Sequence, residues 1–520
     1  MLLNKGHIVW ADDEIQMLKP HIIYLKDKGY KVTPLNSGED AIEFCKNNNI
    51  DILLLDEMMT GLDGLTTLKK IKIIKPTLPV IMITKNEEEW LMEEAIAAHI
   101  NQYLTKPVNP SQILIACKNV LESQQIKAEF IAKDYLHSFQ QLSQKINNSH
   151  TIENWYEIMD DLIDWSINFD EMGEQGLGQL LNEQWHEANM GFTQFVVDNY
   201  SHWMENNKRP IMSPDIIKQF LFKPLMNDEK VIFILLDCLR SDQLKAMSKQ
   251  LSELFHFDMK YYLSILPTAT PYSRNAIFSG CFTKELQEKD SMLWDKMWKD
   301  EKSLNKYEPQ LLEKHLSTLG LKQKSIKYHK ILNHEAGNKI SKRIAEFKDV
   351  DVLVLVVNFI DILGHKRLDS KILQEMVPDE SAYRKAICSW LNDAWLLDTL
   401  KEISFWKHKV FITSDHGSIK VNKPIKIKGD KETSTGIRYK YGRNLNLDSK
   451  SGLKIIKTND FMLPEHGINS EYIIAKGKNY FIYPNEYSKY SKKYENSFQH
   501  GGISLEEMVI PIASLTGKER

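Results

Sequence analysis

Strongly apolar runs that end abruptly in a carboxylate recur in two separate parts of this chain, and amphipathic helical patterns lie between them. The first series falls within residues 1–122, and the second begins at Val231. Alternation of strands and helices at this spacing predicts parallel sheets with helices on both faces. We therefore predict an α/β multidomain protein with a doubly wound (βα)5 domain at its N-terminal end and a second α/β domain at its C-terminal end. Such sheets bind their ligands at the carboxyl ends of the strands, so a site is expected there.

Polar side chains with metal-binding and phosphate-binding chemistry follow the strands of the first series. Asp12 and Asp13 come after the first strand, and Asp56 comes after the third. Carboxylates that meet at one sheet edge repel each other unless a hard divalent cation such as Mg²⁺ lies among them. Thr84 and Lys106 follow the fourth and fifth strands, where a hydroxyl and an ammonium group can bind the oxygens of a phosphoryl group on Asp56. The predicted strands are His7 to Trp10, Lys31 to Leu35, Asp51 to Leu55, Val80 to Ile83 and Gln102 to Leu104.

Taken singly, each of these polar residues is equally typical of a strand terminus. In this combination and order they resemble the receiver domain of two-component response regulators, over residues 1–122. The resemblance implies a phosphorylation site at Asp56 and a sensor histidine kinase as partner. It further implies switch roles for Thr84, Tyr103 and Lys106. The residues assigned by the resemblance to a Mg²⁺ site are Asp12, Asp13 and Asp56.

Residues 123–217 contain few glycines and prolines and carry apolar residues at three- and four-residue spacing. This period predicts long helices, and their succession predicts a central helical bundle that connects the two α/β domains. The tryptophans of the region are more typical of core packing than of a ligand pocket. The glycine-containing stretch 171–178 follows no strand, so we predict a loop and not a phosphate-binding motif. The predicted helices are Glu122 to Lys145, Ile152 to Asn168 and Leu177 to Asn206.

Three apolar runs of the second series lead to residue types that bind metals. They end at Asp237, at Asp361 with His365 four residues later, and at Asp415 with His416. A single strand-end carboxylate is unremarkable. Three of them, two with a histidine close by in the sequence, are expected to converge at the carboxyl edge of one sheet.

Further polar residues complete this set. His500 precedes two glycines and a last predicted strand, while Thr268 and Thr270 lie in a loop after the run Tyr261 to Leu266. Three aspartates, three histidines and a threonine suit two zinc ions, each with nitrogen and oxygen ligands and room for a substrate.

This set resembles the alkaline phosphatase superfamily, and in particular its PglZ branch, over residues 218–520. The resemblance implies a phosphoester hydrolase with Thr270 as nucleophile, and Thr268 is the competing candidate. Two zinc ions about 3.5–4 Å apart can stabilise both the attacking and the leaving oxygen of an in-line displacement. Arg274 and Asn275 are candidates for contact with phosphate oxygens, and an ordinary salt bridge is an equally good interpretation of Arg274. The resemblance assigns Asp361, His365 and His500 to one zinc ion and Asp237, Asp415 and His416 to the other.

Eight basic residues lie between Lys420 and Arg443, against the acidic Asp430 and Glu432. Such a run is typical of a solvated surface, and it is equally compatible with a lid that attracts an anionic substrate to the neighbouring zinc site. Three other histidines have no carboxylate partner at a strand end, and we expect surface or core roles for them. They are His329, His334 and His466.

Composition excludes several classes of protein. Lys and Arg total 67 and Asp and Glu total 70, so a net charge of -3 argues against a nucleic-acid coat and a polyacidic tail alike. The five cysteines are scattered without CxxC pairs, which favours reduced thiols in cores over a disulfide framework or a thiolate zinc site. No apolar run approaches the ~18 residues that span a bilayer, and the first residues lack a secretory signal pattern, so we expect a cytoplasmic protein.

The chain as a whole resembles the PorX-type response regulators, in which a receiver, a helical connector and a PglZ-type domain follow one another. The resemblance implies a regulator that is phosphorylated on Asp56, forms a homodimer on phosphorylation and acts in type IX secretion and gliding. The expected output is a di-zinc phosphodiesterase acting on nucleotides or oligonucleotides. A phosphomonoesterase is disfavoured, because no second arginine is evident to hold the extra charge of a monoester. The alternative is a non-catalytic scaffold that binds a secretion component or a sigma factor.

Overall fold

The computed structural model describes residues 5–85, 100–172, 177–205, 208–299, 304–430, 434, 436–447, 451–467, 469–485 and 487–518. The chain forms two compact units, Met1–Asp134 and Tyr135–Arg520. The helix Ser123–Asn147 runs across the point of division. The predicted domain boundaries after residues 122 and 217 stay predictions.

The first unit contains a five-stranded parallel sheet. Its strands are β1 (His7–Ala11), β2 (Lys31–Leu35), β3 (Ile52–Asp56), β4 (Val80–Thr84) and β5 (Gln102–Thr105). Their order is β2-β1-β3-β4-β5, with every neighbouring pair parallel. The helices described in this unit are Lys19–Asp27, Gly38–Asn47, Gly64–Ile74 and Pro110–Leu121. The helix expected between β4 and β5 falls on residues 86–99, outside the described residues.

Both faces of this sheet are covered, which explains why its inner strands are apolar along their length. Alternate residues of β1 enter two separate cores, with Ile8 and Trp10 on one face and Val9 and Ala11 on the other. The predicted doubly wound fold is confirmed.

Three long helices follow this sheet in the chain: Ser123–Asn147, Ile152–Met172 and Gly178–Glu205. Their tryptophans pack as core residues. Trp155 is 1% exposed and meets the ring of Phe192 edge-on, with 5.7 Å between centroids. Gly191 allows this approach, because a Cβ there would lie 2.7 Å from the Trp155 ring.

The other strands belong to the second unit. They are β6 (Val231–Leu236), β7 (Phe255–Leu263), β8 (Ile326–Ile331), β9 (Val352–Val357), β10 (Lys409–Thr413), β11 (Ile419–Val421), β12 (Lys423–Lys426), β13 (Tyr439–Gly442), β14 (Gly452–Ile455), β15 (Glu471–Ala475), β16 (Asn479–Ile482), β17 (Ser497–Gln499) and β18 (Val509–Gly517). The large sheet has the order β7-β18-β10-β6-β9-β8. Within it β10, β6, β9 and β8 are parallel, whereas β18 and β7 run antiparallel to their neighbours. In the small sheets β11 pairs with β17, β12 with β16, and β15 with both β13 and β14.

Apolar side chains cover both faces of the large sheet. Ile232 and Ile234 enter one core, and Phe233 and Leu235 enter the other. Polar chemistry is therefore left to the strand ends.

Helices and short helical turns connect these strands. None of the helices in the described residues is long and apolar enough to cross a membrane. The α-helices are Phe222–Met226, Ser241–Leu254, Thr270–Ser279, Thr283–Lys289, Ser291–Met297, Glu308–Thr318, His334–Lys342, Phe359–Asp369, Lys371–Met376, Glu380–Asp393, Trp395–Ile403, Tyr487–Tyr494 and Leu505–Met508. Short 3-10 or π turns are Ser213–Asp215, Ile217–Leu221, Ile344–Phe347 and Thr458–Phe461.

Candidate metal centres

The neighbouring strands β10, β6 and β9 end at one edge of the large sheet, and the predicted ligands follow them. Asp237 comes directly after β6, and Asp415 comes two residues after β10. Cys238, the residue after Asp237, has a φ of 65°, a left-handed conformation that costs energy for a residue with a side chain. Asp361 differs from the prediction, because it lies on the helix Phe359–Asp369 and not at the strand end.

Asp237, Asp415 and His416 form a buried cluster, in which ligand atoms from all three lie within 4.8 Å of one another. Their exposures are 1%, 0% and 0%. Nε2 of His416 lies 4.0 Å from a carboxylate oxygen of Asp237 and 3.8 Å from one of Asp415. Its Nδ1 lies 3.1 Å from the carbonyl oxygen of Gly417. In the tautomer that donates this hydrogen bond, Nε2 keeps its lone pair for a metal.

Asp361, His365 and His500 form an open cluster, with ligand atoms within the same 4.8 Å. Asp361 and His365 are one helical turn apart and therefore share a face of their helix. Nε2 of His365 lies 3.3 Å, and Nε2 of His500 3.7 Å, from Oδ1 of Asp361. The other nitrogen of His500 lies 3.3 Å from the carbonyl oxygen of Thr268. The His365 side chain is 54% exposed, so this cluster opens to solvent.

The open and buried clusters adjoin each other. The rings of His416 and His500 stack with 4.2 Å between centroids and 20° between planes. Because each cluster contributes one of these two stacked rings, the two ligand sets have the layout of a two-metal site.

Burial and nearby charges shift the pKa values of these residues. Burial is the main reason that the pKa of His500 falls to about 3, so its imidazole is neutral and able to bind a metal at neutral pH. Burial also raises the pKa of Asp237; the guanidinium of Arg274 opposes this effect and the carboxylate of Asp415 adds to it. Burial acts in the same direction on Asp415, but Arg274 and His416 hold its pKa below the usual value. A dication in this cluster would oppose the effect of burial and favour the ionised form of Asp237.

The two candidate nucleophiles occupy different positions. Thr270 is the first residue of its helix, and its Oγ1 lies 3.0 Å from Nε2 of His416. Thr268 is buried, and its hydroxyl donates to the carbonyl oxygen of Gly502 over 2.8 Å. Thr268 therefore stabilises the backbone that follows His500, whereas the Thr270 hydroxyl lies beside a candidate metal-ligand atom.

Arg274 is fully buried and pairs with the carboxylates of the buried cluster. Its Nε donates to Asp415 over 2.9 Å, and its guanidinium contacts Asp237. A carboxylate oxygen of Glu308 lies 3.7 Å from Nη1. Ion pairing was one of the two interpretations of Arg274, and phosphate contact stays a prediction. The side chain of Asn275 donates to two backbone carbonyl oxygens within the protein.

Two polar contacts were not found from the sequence. Nδ2 of Asn358 donates to Oδ2 of Asp237 over 2.6 Å and so orients that carboxylate. A polar residue directly after the apolar β9 was the available signal. Glu308 is 0% exposed near Arg274 and also accepts from the hydroxyl of Tyr328. The sequence around Glu308 carries no comparable signal.

The first unit holds a third cluster at the carboxyl edge of its own sheet. Ligand atoms of Asp12, Asp13 and Asp56 lie within 4.8 Å of one another. Nζ of Lys106 lies 2.9 Å from Asp12 and 2.8 Å from Asp56, where it can neutralise a phosphoryl group. Burial raises the pKa of Asp56 to about 6, although the hydrogen bond from Lys106 opposes the effect.

The predicted switch residues lie in the same sheet. Thr84 is fully buried at the end of β4, and its hydroxyl donates to Glu57 over 3.0 Å. Tyr103 in β5 is partly buried and packs against the core of one sheet face. Their roles as switches stay predictions.

The three histidines without a predicted site lie away from these clusters. His466 stacks on Tyr441 with 4.0 Å between centroids, and His329 packs against Phe347 with 4.9 Å. His334 is exposed at the start of its helix.

The basic stretch between Lys420 and Arg443 contains structural residues. Arg438 is 0% exposed and its guanidinium pairs with Glu507. Lys440 is 3% exposed and donates to the carbonyl oxygen of Ser434 over 3.1 Å. Residues 431–433 and 435 lie outside the described residues, so a lid in this stretch stays a prediction.

The donor atoms indicate which ions fit. The open and buried clusters combine imidazole nitrogen with carboxylate oxygen, and the orientation of Nε2 in His416 and His500 suits zinc. The cluster of the first unit offers oxygen atoms only, which suits Mg²⁺.

Known families match all three parts of the chain. The family described as BREX system PglZ alkaline phosphatase-like domain matches residues 216–515, more than half of the chain. The response regulator receiver domain matches residues 8–118, and the PorX response regulator linker domain matches residues 125–204.

Individual relatives match in the receiver region. The transcriptional regulatory protein ResD of Bacillus subtilis is 31% identical over 118 residues, which cover 23% of this chain and 49% of ResD. The response regulator SaeR of Staphylococcus aureus is 32% identical over 115 residues, covering 22% of this chain and 50% of SaeR. The chain thus spans about half the length of these curated relatives. A solved CheY-like receiver domain from Methanospirillum hungatei is 24% identical with a TM-score of 0.23, and the match covers 24% of this chain and 97% of that domain.

Proposed function

Because this chain belongs to the PglZ family of alkaline phosphatase-like domains and joins that domain to a receiver and a linker as PorX-type response regulators do, we propose that its output is a zinc-dependent phosphodiesterase. The position of Thr270 carries the proposal. Its Oγ1 lies 3.0 Å from Nε2 of His416, whose ring stacks on that of His500 in the open cluster. The helix that begins at Thr270 also places the positive end of its dipole at this position, which favours a phosphate.

Each of the two clusters would hold one zinc ion. When bound, zinc would supply positive charge that lowers the pKa of a hydroxyl group or of water and neutralises phosphate oxygens. Asp361, His365 and His500 would hold one ion, and Asp237, Asp415 and His416 the other.

Thr270 performs the bond-forming step. Its hydroxyl gives up its proton to solvent, and Oγ1 attacks phosphorus in line with the leaving ester oxygen. The P–O bond to the leaving group breaks, the departing alcohol takes up a proton, and phosphothreonine remains. Water then attacks the same phosphorus, the P–Oγ1 bond breaks, the phosphomonoester leaves, and Oγ1 takes up a proton to restore the hydroxyl. Asn358 supports the step by holding Asp237 in one orientation.

Two features support diesters of the nucleotide class. Arg274 is engaged with Asp237 and Asp415, so it is not placed to neutralise the second charge of a monoester. The Tyr439 ring lies against Gly501, where an added Cβ would come within 2.5 Å of it. An aromatic ring therefore lies beside the residue that follows His500, a residue type suited to contact with a nucleotide base.

The receiver domain implies a cognate histidine kinase. We propose that this kinase phosphorylates Asp56, that Mg²⁺ bound by Asp12, Asp13 and Asp56 supports the transfer, and that phosphorylation promotes a homodimer. A role in type IX secretion and gliding rests on the PorX resemblance alone.

A second candidate is a scaffold that binds a secretion component or a sigma factor. One observation favours it. Arg274 already compensates much of the negative charge of Asp237 and Asp415, so the buried cluster does not depend on a metal to be folded.

Hydrolysis of bis-p-nitrophenyl phosphate and p-nitrophenyl phosphate by the zinc-loaded full chain separates the two candidates. The hydrolase proposal expects turnover of the diester, retention of activity in Thr270→Ser and its loss in Thr270→Val, which keeps the shape of the side chain without the hydroxyl. A chain with both clusters shown to contain zinc and no turnover of either ester would establish the scaffold instead.

A further inference from the structure

A large pocket lies within the second unit, and none of the residues of the metal clusters lines it. It has a volume of about 770 Å³ and is bordered by the helix Gly178–Glu205 and the turn between β15 and β16. Lys423, Lys476 and Lys478 line it together with His186, and among the described residues that line it there is no aspartate or glutamate. We call it the lysine pocket.

The helix side of the lysine pocket is fixed in place. Asn189 uses both ends of its amide, since Nδ2 donates to Glu506 over 2.9 Å and Oδ1 accepts from the N–H of Leu505 over 2.8 Å. The hydroxyl of Thr193 donates to the carbonyl oxygen of Ile503 over 3.4 Å. This wall therefore keeps its shape without a ligand.

The turn that carries two of the lysines is equally constrained. Buried Arg438 donates from Nη1 to the carbonyl oxygen of Gly477 over 2.7 Å and from Nε to Glu507 over 3.1 Å. The N–H of Gly477 donates to Ile503 over 2.9 Å. Gly477 has a φ of 52°, and a Cβ added there would meet nothing within 4 Å. A preformed turn presents Lys476 and its neighbour at little further ordering cost.

Two acidic residues near the pocket interact with its lysines. Asp198 raises the pKa of Lys476, although burial lowers that pKa overall. Glu506 lies near Lys478, but it already accepts the hydrogen bond from Asn189. Three lysines line the pocket, whereas neither of these two carboxylates does.

We propose that the lysine pocket binds a small molecule that carries two or more phosphate groups, such as a nucleoside diphosphate. Lysine ammonium groups are compact charges suited to phosphate oxygens, and three lysines from two separate segments line this pocket. The volume lies in the range of small-molecule sites, about 300–1,000 Å³. The proposal does not depend on the hydrolase, because no metal ligand and neither candidate nucleophile lines the pocket.

Calorimetric titration of the full-length, zinc-loaded chain with ADP tests the proposal, with Thr270→Val as the parent so that turnover cannot consume the probe. The double variant Lys476→Gln/Lys478→Gln removes two charges from the pocket. Lys249→Gln/Lys371→Gln is the matched control, because both lysines are exposed and neither lines the pocket. Adenosine, which lacks phosphate, is the control ligand.

We expect ADP to bind the parent and the control double variant alike, binding to the pocket variant to be weaker by about tenfold or more, and adenosine not to bind. Binding should persist after the metal is removed with a chelator, which separates this site from the metal clusters. Equal ADP affinity in the pocket and control double variants, or complete loss of binding on chelation, would overturn the proposal. If the double variant fails to fold, as judged by its unfolding curve, the single substitution of exposed Lys423→Gln provides the same comparison.

Discussion

Nε of Arg274 donates to Oδ2 of Asp415 over 2.9 Å, and both side chains are completely buried. The same guanidinium contacts Asp237. Both carboxylates belong to the buried cluster, so an internal cation lies where the proposed function requires a metal close by. Arg274 and the metal therefore share the task of neutralising these two aspartates.

Substitution Arg274→Met tests this sharing. In the metal-free chain we expect the free energy of unfolding to fall by about 3–5 kcal/mol, because Asp237, Asp415 and Glu308 would remain buried without a cation. With zinc present the loss should be smaller, since the ion neutralises two of the three carboxylates. Urea unfolding in chelator and in excess zinc measures both values.

Arg274→Lys is the matched control, because it keeps the charge but not the second nitrogen donor. Its free energy of unfolding should lie between those of the parent and the methionine variant. Equal losses for the methionine variant with and without zinc would show that the arginine and the ion act independently.

Gly417→Ala tests how the chain places His416. A Cβ at Gly417 would lie 1.9 Å from the carbonyl oxygen of Glu506, and backbone atoms there have little freedom to move. We expect the free energy of unfolding of this variant, measured by thermal unfolding, to be lower by about 2 kcal/mol or more. Gly178→Ala is the control, because a Cβ there meets nothing within 4 Å and the site is helical, so stability should be unchanged or slightly higher. Similar melting temperatures for the two variants would contradict the close contact.

His365→Asn tests the open cluster. Its imidazole is exposed, so its loss should leave the fold intact while zinc bound after desalting falls from about two ions per chain to about one. His334→Asn removes an exposed histidine outside the clusters and should bind as much zinc as the parent. Element analysis gives the stoichiometry directly. Unchanged zinc in His365→Asn would remove this residue from the metal site.

Much of this site could be predicted because long apolar strands end where the ligands begin. Asp237 directly follows an uninterrupted apolar run, Asp415 comes two residues after the end of another strand, and neighbouring parallel strands bring such ends together. Asp361 was predicted as a ligand but not on a helix. The chain turns helical at Phe359, and the pattern of the run does not mark this change.

The remaining contacts depend on tertiary packing that no local period encodes. Glu308 forms an ion pair with Arg274, which lies 34 residues away in the sequence. The side chain of Asn189 donates a hydrogen bond to Glu506, which lies 317 residues away. The lysine pocket arises in the same way, from a helix and a turn far apart in the chain. Patterns of apolar and polar residues predict which elements form, whereas such pairings follow from how the elements pack.

The raised pKa of Asp56 predicts how the first unit responds to pH. In the metal-free folded chain this pKa is about 6, mainly because of burial, whereas a solvent-exposed aspartate has an ordinary pKa of 3.8. Between about pH 4 and pH 6 the folded state therefore keeps a proton that the unfolded state has released. The contribution of Asp56 to stability consequently falls as the pH rises through this window and is constant above it.

Mg²⁺ competes with the same proton, so the affinity of the site for Mg²⁺ should rise with pH. We expect this affinity to be about tenfold weaker at pH 5 than at pH 7. Calorimetric Mg²⁺ titrations at both pH values measure this, with Asp56→Asn as the control that lacks the titrating group. An affinity in the parent that is the same at both pH values would show that Asp56 is already ionised at pH 5.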